Sequence, residues 1–135
     1  MRYIEIQHDV IARYHIDVCD GTKCDNDWPR THAHVKARRV CKWKQSNSIQ
    51  STFTLLHEIG HIENTKSNMR RAESEYWATI WAIGVCTQYG LKVPVKTLQK
   101  YQDYIDMEIA KGKRRGGKNY GELLLPGTKH KTEII

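Results

Sequence analysis

The chain has 135 residues, of which 39% are apolar, enough for one domain with a real core. No run of about 18 apolar residues is present, which argues against a membrane span, and the opening Met1-Arg2-Tyr3-Ile4-Glu5-Ile6 lacks a continuous apolar signal core, so a cytoplasmic protein is expected. The formal charge of +7 points to an acidic partner or to nucleic acid.

In chain order, residues 3–15 place Ile4, Val10 or Ile11, and Tyr14 at helical spacing, which predicts a first helix. From Cys19 to Arg30 the sequence is turn-like, broken by Asp20-Gly21 and Trp28-Pro29. Between Thr31 and Lys44, Ala33, Val35, Ala37 and Val40 suggest one or two antiparallel strands. A second helix is expected from Ser48 to Glu63, with Ser48 or Ser51 as its cap. A polar connector leads to a third helix, Arg71 to Tyr89, with Gly90 suited to the C′ position and Pro94 just beyond. A fourth helix spans Val95 to Lys111, with Leu98, Tyr101 or Gln102, Ile105 and Ile109 on one side, and Tyr101 and Tyr104 reading as core or boundary aromatics. Residues 112–135 read as a basic, irregular tail after a domain over 1–111. Lys111 to Lys118 is rich in glycine and cations and reads as flexible, either a solvated tail or an arm contacting nucleic-acid phosphates. Leu123, Leu124 and Leu125 would let that tail dock or leave it loose. The class is α+β: mostly helical, with a short antiparallel sheet.

Four cysteines, Cys19, Cys24, Cys41 and Cys86, show no CxxC spacing and read as reduced in a chain without secretory features. A second zinc site from Cys19, Cys24, His32 and His34 is conceivable, although the spacing fits no common finger.

The most specific signal is His57-Glu58-Ile59-Gly60-His61. Positions i and i+4 share one helix face, with Cβ atoms about 5–6 Å apart. Two imidazoles so placed can converge on one zinc ion. Glu58 sits one step round the helix, placed to hold a water and act as general base. Leu55, Ile59 and Ile62 form an apolar stripe, so the motif belongs on a helix with one buried face. A catalytic zinc normally takes three protein ligands, and the next helix offers Glu73 and Glu75. Glu75 heads a line of small residues, Ala78, Ala82 and Cys86, along which two helices can approach closely. Glu73 heads a bulkier line through Trp77. Packing therefore favours Glu75. His34, Tyr76 and Tyr89 are candidate oxyanion donors by residue type alone.

The segment Phe53 to His61, followed by Glu75-x-x-Ala78-x-x-Trp81-Ala82, resembles the ImmA/IrrE metallopeptidase family, the former domain of unknown function 955. Trp81 stands where that family usually has phenylalanine, and Trp77 replaces its second glutamate. The first glutamate of the family pattern falls on Glu75. The resemblance covers roughly residues 50 to 90. It implies a small zincin-like fold and a zinc-dependent endopeptidase, with His57, His61 and Glu75 on the metal and Glu58 as catalytic base. It also implies a protein substrate, such as a helix-turn-helix repressor of a phage or mobile element. An edge strand beside the metal helix is expected to bind substrate backbone. The competing reading is a basic DNA- or protein-binding module that retains a metal site.

Overall fold

The structure is a computed structural model, and it describes residues 2–19, 30–64 and 68–131. Seven elements follow one another: α1 (Tyr3–Arg13), β1 (Asp17–Cys19), β2 (His32–His34), β3 (Arg39–Cys41), α2 (Ile49–Glu63), α3 (Arg71–Gln88) and α4 (Val95–Arg114). The class is α+β. No helix is long and apolar enough to cross a membrane.

The expected antiparallel pair is present as β2 and β3, and β1 adds a parallel strand, so the sheet is mixed. Its order is β1-β3-β2. β3 pairs parallel with β1, through Val18 opposite Val40, and antiparallel with β2, through Ala33 opposite Val40. The difference comes from β1, which lies where a turn was expected to begin. Three residues give no usable alternation. The strand is set by its surroundings: the left-handed His15 (φ 54°) turns the chain out of α1, and the Asp17 amide donates to the Arg38 carbonyl. The remainder of the expected turn region, including Cys24, lies outside the described residues. Cys19 is disulfide-bonded, which overturns the expectation of four reduced thiols, whereas Cys41 and Cys86 are both buried.

The helices form for local reasons. Ser48 caps α2, its hydroxyl accepting from the Ser51 amide at 3.1 Å. Ser51, the other candidate cap, instead donates its hydroxyl to the Lys44 carbonyl at 2.9 Å. In α1 the buried residues are Ile6, Gln7 and Val10, so the inward face lies one step round from the expected Ile4. Gln7 donates to Thr52 Oγ1 at 2.8 Å and to the Ser46 carbonyl at 2.9 Å, tying α1 to the start of α2. Gly90 has φ 72° and terminates α3 as its position predicts. α4 continues three residues past the expected Lys111, so half of the supposedly flexible basic run is helical. Lys111, Lys113 and Arg114 occupy its last turn, where cations favour the C-terminal end of the helix dipole.

One core joins Ile6, Val10, Val40, Phe53, Leu55, Leu56, Ile59, Ala82 and Leu98. A second, smaller cluster joins Ala72, Ile105 and Ile109 to Leu123 and Leu125. The C-terminal segment is therefore docked. Buried Gln102 directs this, donating to the Leu123 carbonyl and accepting from the Leu125 amide.

Candidate metal centre

α2 and α3 meet unusually closely. A Cβ built on Gly60 would lie 2.6 Å from the Ala78 carbonyl oxygen and 3.0 Å from its Cα. Only glycine permits that approach. The expected line of small residues, Glu75, Ala78, Ala82 and Cys86, is buried along this contact. The helices thus bring a carboxylate from one to two imidazoles from the other.

The geometry at the head of the line is compact. His57 Nε2 lies 3.0 Å from Glu75 Oε1, and His61 Nε2 lies 3.0 Å from Glu75 Oε2. Ligand atoms from the three residues lie within 4.8 Å of one another. His57 is 3% exposed and Glu75 8%. Glu73 lies apart: its carboxylate accepts from the Arg70 amide at 3.2 Å and from Arg70 Nε at 2.7 Å, stabilising the start of α3. Of the two competing glutamates, Glu75 is the one brought to the histidines.

Both imidazoles are also held from behind. Thr79 donates its hydroxyl to the Glu75 carbonyl at 2.8 Å, and His57 Nδ1 lies 3.0 Å from Thr79 Oγ1. With the hydroxyl proton committed, Nδ1 must be the donor, so the N–H is fixed on the side away from the cluster. His61 Nδ1 has Ser74 Oγ at 3.2 Å. Oriented Nε2 atoms backed by hydrogen-bonded Nδ1 atoms are the arrangement that metal-binding histidines require. Two imidazoles and one carboxylate form a donor set suited to a divalent transition metal. His57, His61 and Glu75 can therefore hold a metal ion. Thr79 and Ser74 escaped the sequence reading, although each lies four residues or one from Glu75, where a hydroxyl can reach round the same turn.

Electrostatics follow the geometry. Burial alone would raise the Glu75 carboxyl, but hydrogen bonds from His57 and His61 outweigh it and hold that group well below the usual carboxylate range. Burial would lower His61; its hydrogen bond and charge interaction with Glu75 prevail and raise it. Glu58 lacks such partners, and burial raises its carboxyl despite the neighbouring histidines.

The cluster opens into a cleft of about 1230 Å³. Its lining includes His32, Ala33 and Val35 from β2 and the loop after it, Glu58 from α2, Arg71 from α3, and Thr97, Lys100, Tyr101 and Tyr104 from α4. The three expected oxyanion donors do not line it. His34, at the end of β2, is exposed and lies outside the lining. Tyr76 packs on the cluster around Ile105 and Leu123. Tyr89 donates to Asp9 at the far end of α3. Tyr101 and Tyr104, expected as core or boundary aromatics, are partly buried, Tyr101 packing on both core clusters, and both also border the cleft. The Tyr101 ring lies 4.7 Å from that of His57 and 5.2 Å from that of Phe53, and burial pushes its phenol up to about 12. Tyr104 accepts from Arg71 Nη2 at 3.2 Å. The second metal site fails on chemistry, since a disulfide-bonded Cys19 offers no thiolate.

Comparison of the chain with family models, with curated proteins and with solved structures finds no match. The class that fold and site define is a small α+β chain carrying a buried two-histidine, one-glutamate cluster at the floor of an open cleft.

Proposed function

We propose that this chain is a zinc-dependent endopeptidase, with zinc held by His57, His61 and Glu75 and with Glu58 as its general base. The observation that carries the reading is the convergence of both Nε2 atoms on one carboxylate at 3.0 Å each, with Glu58 on the wall of the same cleft. Zinc, when bound, supplies Lewis-acid activation of a carbonyl and of water. Glu58 takes a proton from the attacking water at its carboxylate and returns it to the leaving amine. Thr79 and Ser74 keep the two imidazoles in register with Glu75. The cleft is large enough for several residues of a peptide. β2 lies at the sheet edge beside it, supplying backbone groups to an extended substrate. A protein substrate follows, and a helix-turn-helix repressor is the form that the family resemblance suggests.

The alternative reading, a basic module with a retained metal, draws on the cations that end α4. Structural zinc sites usually close with four protein ligands, and among the described residues this cluster supplies three. Metal analysis tests the proposal. Wild type is expected to retain about one zinc per chain, and His57→Ala and Glu75→Ala to lose it. Glu58→Gln is expected to keep the metal and lose cleavage of a denatured protein. Full occupancy in Glu75→Ala, or cleavage by Glu58→Gln at the wild-type rate, would refute the assignment.

A further inference from the structure

We infer that the cleft selects acidic peptide segments, reading a substrate aspartate or glutamate through Lys100, with Arg71 beside it. The inference rests on the endopeptidase reading and concerns the substrate class that the site accepts.

The charge distribution of the walls is one-sided. The lining cations are Arg30, Arg71 and Lys100, and the lining carboxylates are Glu58 and Glu75. Both carboxylates are engaged in the centre itself, Glu75 with the two histidines and Glu58 next to His57. A divalent cation there would make the balance more positive still. What remains for a passing substrate is basic.

α4 presents this charge in a defined place. Thr97, Lys100, Tyr101 and Tyr104 occupy positions i, i+3, i+4 and i+7, so one face of the helix lines the cleft. Lys100 is exposed on that face, and among the described residues it has no ion-pair or hydrogen-bond partner. Arg71 donates to Tyr104 at 3.2 Å and lies 3.5 Å from Glu75 Oε2, yet 63% of its side chain remains exposed. The two phenols give a low-dielectric floor beneath these cations, which strengthens an ion pair relative to open water. The surplus of cations over the whole chain favours encounter with acidic segments.

The test uses short peptide hydroxamates, whose hydroxamate takes the metal and whose remaining side chains sample the cleft. Pairs that differ only by Glu or Gln at each position are titrated into the zinc-loaded full chain by calorimetry. At low salt at least one Glu peptide is expected to bind about two- to fivefold tighter than its Gln partner, and to lose that advantage at high salt. Lys100→Met should reduce the preference and Lys100→Glu reverse it, read as the ratio of Glu-peptide to Gln-peptide affinity within each variant. Circular dichroism confirms that both variants fold, as an exposed position should allow. Equal binding of every Glu and Gln pair, or a preference unchanged in both variants, would overturn the inference. So would an oligothymidylate that binds the cleft more tightly than any Glu peptide, which would assign the basic wall to nucleic acid. If no hydroxamate of either kind binds, the metal reading itself fails and this inference falls with it.

Discussion

Gly60→Ala probes the contact on which the metal cluster depends. The added methyl would meet the Ala78 carbonyl oxygen at 2.6 Å, its Cα at 3.0 Å and its carbonyl carbon at 3.2 Å. All three are backbone atoms, so no side chain can swing aside. Ordinary contact begins near 3.4 Å, so α2 and α3 must separate locally by roughly 0.8 Å, the difference between 3.4 and 2.6 Å. Overpacking of this kind costs about 1–3 kcal/mol, while alanine returns up to about 1 kcal/mol of helix propensity. Gly84→Ala isolates the two terms. Gly84 is also helical, but a Cβ there meets nothing within 4 Å. It should gain the propensity without the clash, about 0.5–1 kcal/mol. Urea unfolding of the metal-free variants measures both, and the expected gap between them is about 1–3 kcal/mol. The same separation draws His57 and His61 away from Glu75, so zinc affinity, read by chelator competition, should fall at least about tenfold in Gly60→Ala and stay unchanged in Gly84→Ala. Equal stability and equal affinity in the two variants would refute the claim that close helix approach sets the donor spacing.

Three further outcomes are expected. Thr79→Val keeps the buried shape but removes the acceptor from His57 Nδ1; zinc affinity should drop about 10- to 100-fold with the fold retained, as circular dichroism and chelator competition would show. Zinc at a hundred times its dissociation constant should stabilise wild type by about 2.7 kcal/mol, a rise of roughly 8–12 °C in Tm by calorimetry, and His57→Ala should show no such rise. Docking of the C-terminal segment should depend on pH through His130. Burial would lower its pKa, but hydrogen bonds to Glu122 and Asp106 outweigh that and raise it. A raised folded value means the contribution is complete below the unfolded value of about 6.5 and is lost as pH rises through the folded one. Hydrogen exchange at the Leu125 amide should therefore be slowest near pH 6, after correction for intrinsic rates, and gain relative speed above neutrality; His130→Asn should abolish that change.

How much of this was legible in the sequence depended on the range of the forces involved. The helices were legible because Leu98, Ile105 and Ile109, or Leu55, Ile59 and Ile62, repeat at a period that needs no knowledge of the partner surface. The choice of Glu75 over Glu73 was legible for a related reason: a row of small side chains announces a close helix contact even when the other helix is unknown. β1 was not legible, because its parallel pairing with β3 is decided across an intervening segment and three residues carry no period of their own. The cleft-facing side of two boundary aromatics was hidden similarly. Tyr101 and Tyr104 fall among the apolar positions of α4, and nothing local distinguishes a residue facing the core from one facing a cleft beside it.

The buried polar residues of α4 show the same limit and also what it conceals. Gln102 and Asp106 are fully buried, which in isolation would be a costly choice for a core helix. Each proves to be spent on chain far away in sequence. Gln102 bonds the Leu123 carbonyl and the Leu125 amide, and Asp106 accepts from the Lys131 amide at 2.8 Å while His130 Nδ1 lies 2.7 Å from its other oxygen. Backbone groups of a segment without regular structure must find partners once they are covered, and these two side chains supply them. The docked segment in turn packs with Ile105 and Ile109 of α4. That leaves Thr97, Lys100, Tyr101 and Tyr104 as the face presented to the metal cluster. Gln102→Leu should therefore act at a distance: it unpairs the backbone at Leu123 and Leu125, frees the segment to proteolysis, and loosens the wall that carries Lys100, while the three candidate ligands on α2 and α3 keep their spacing.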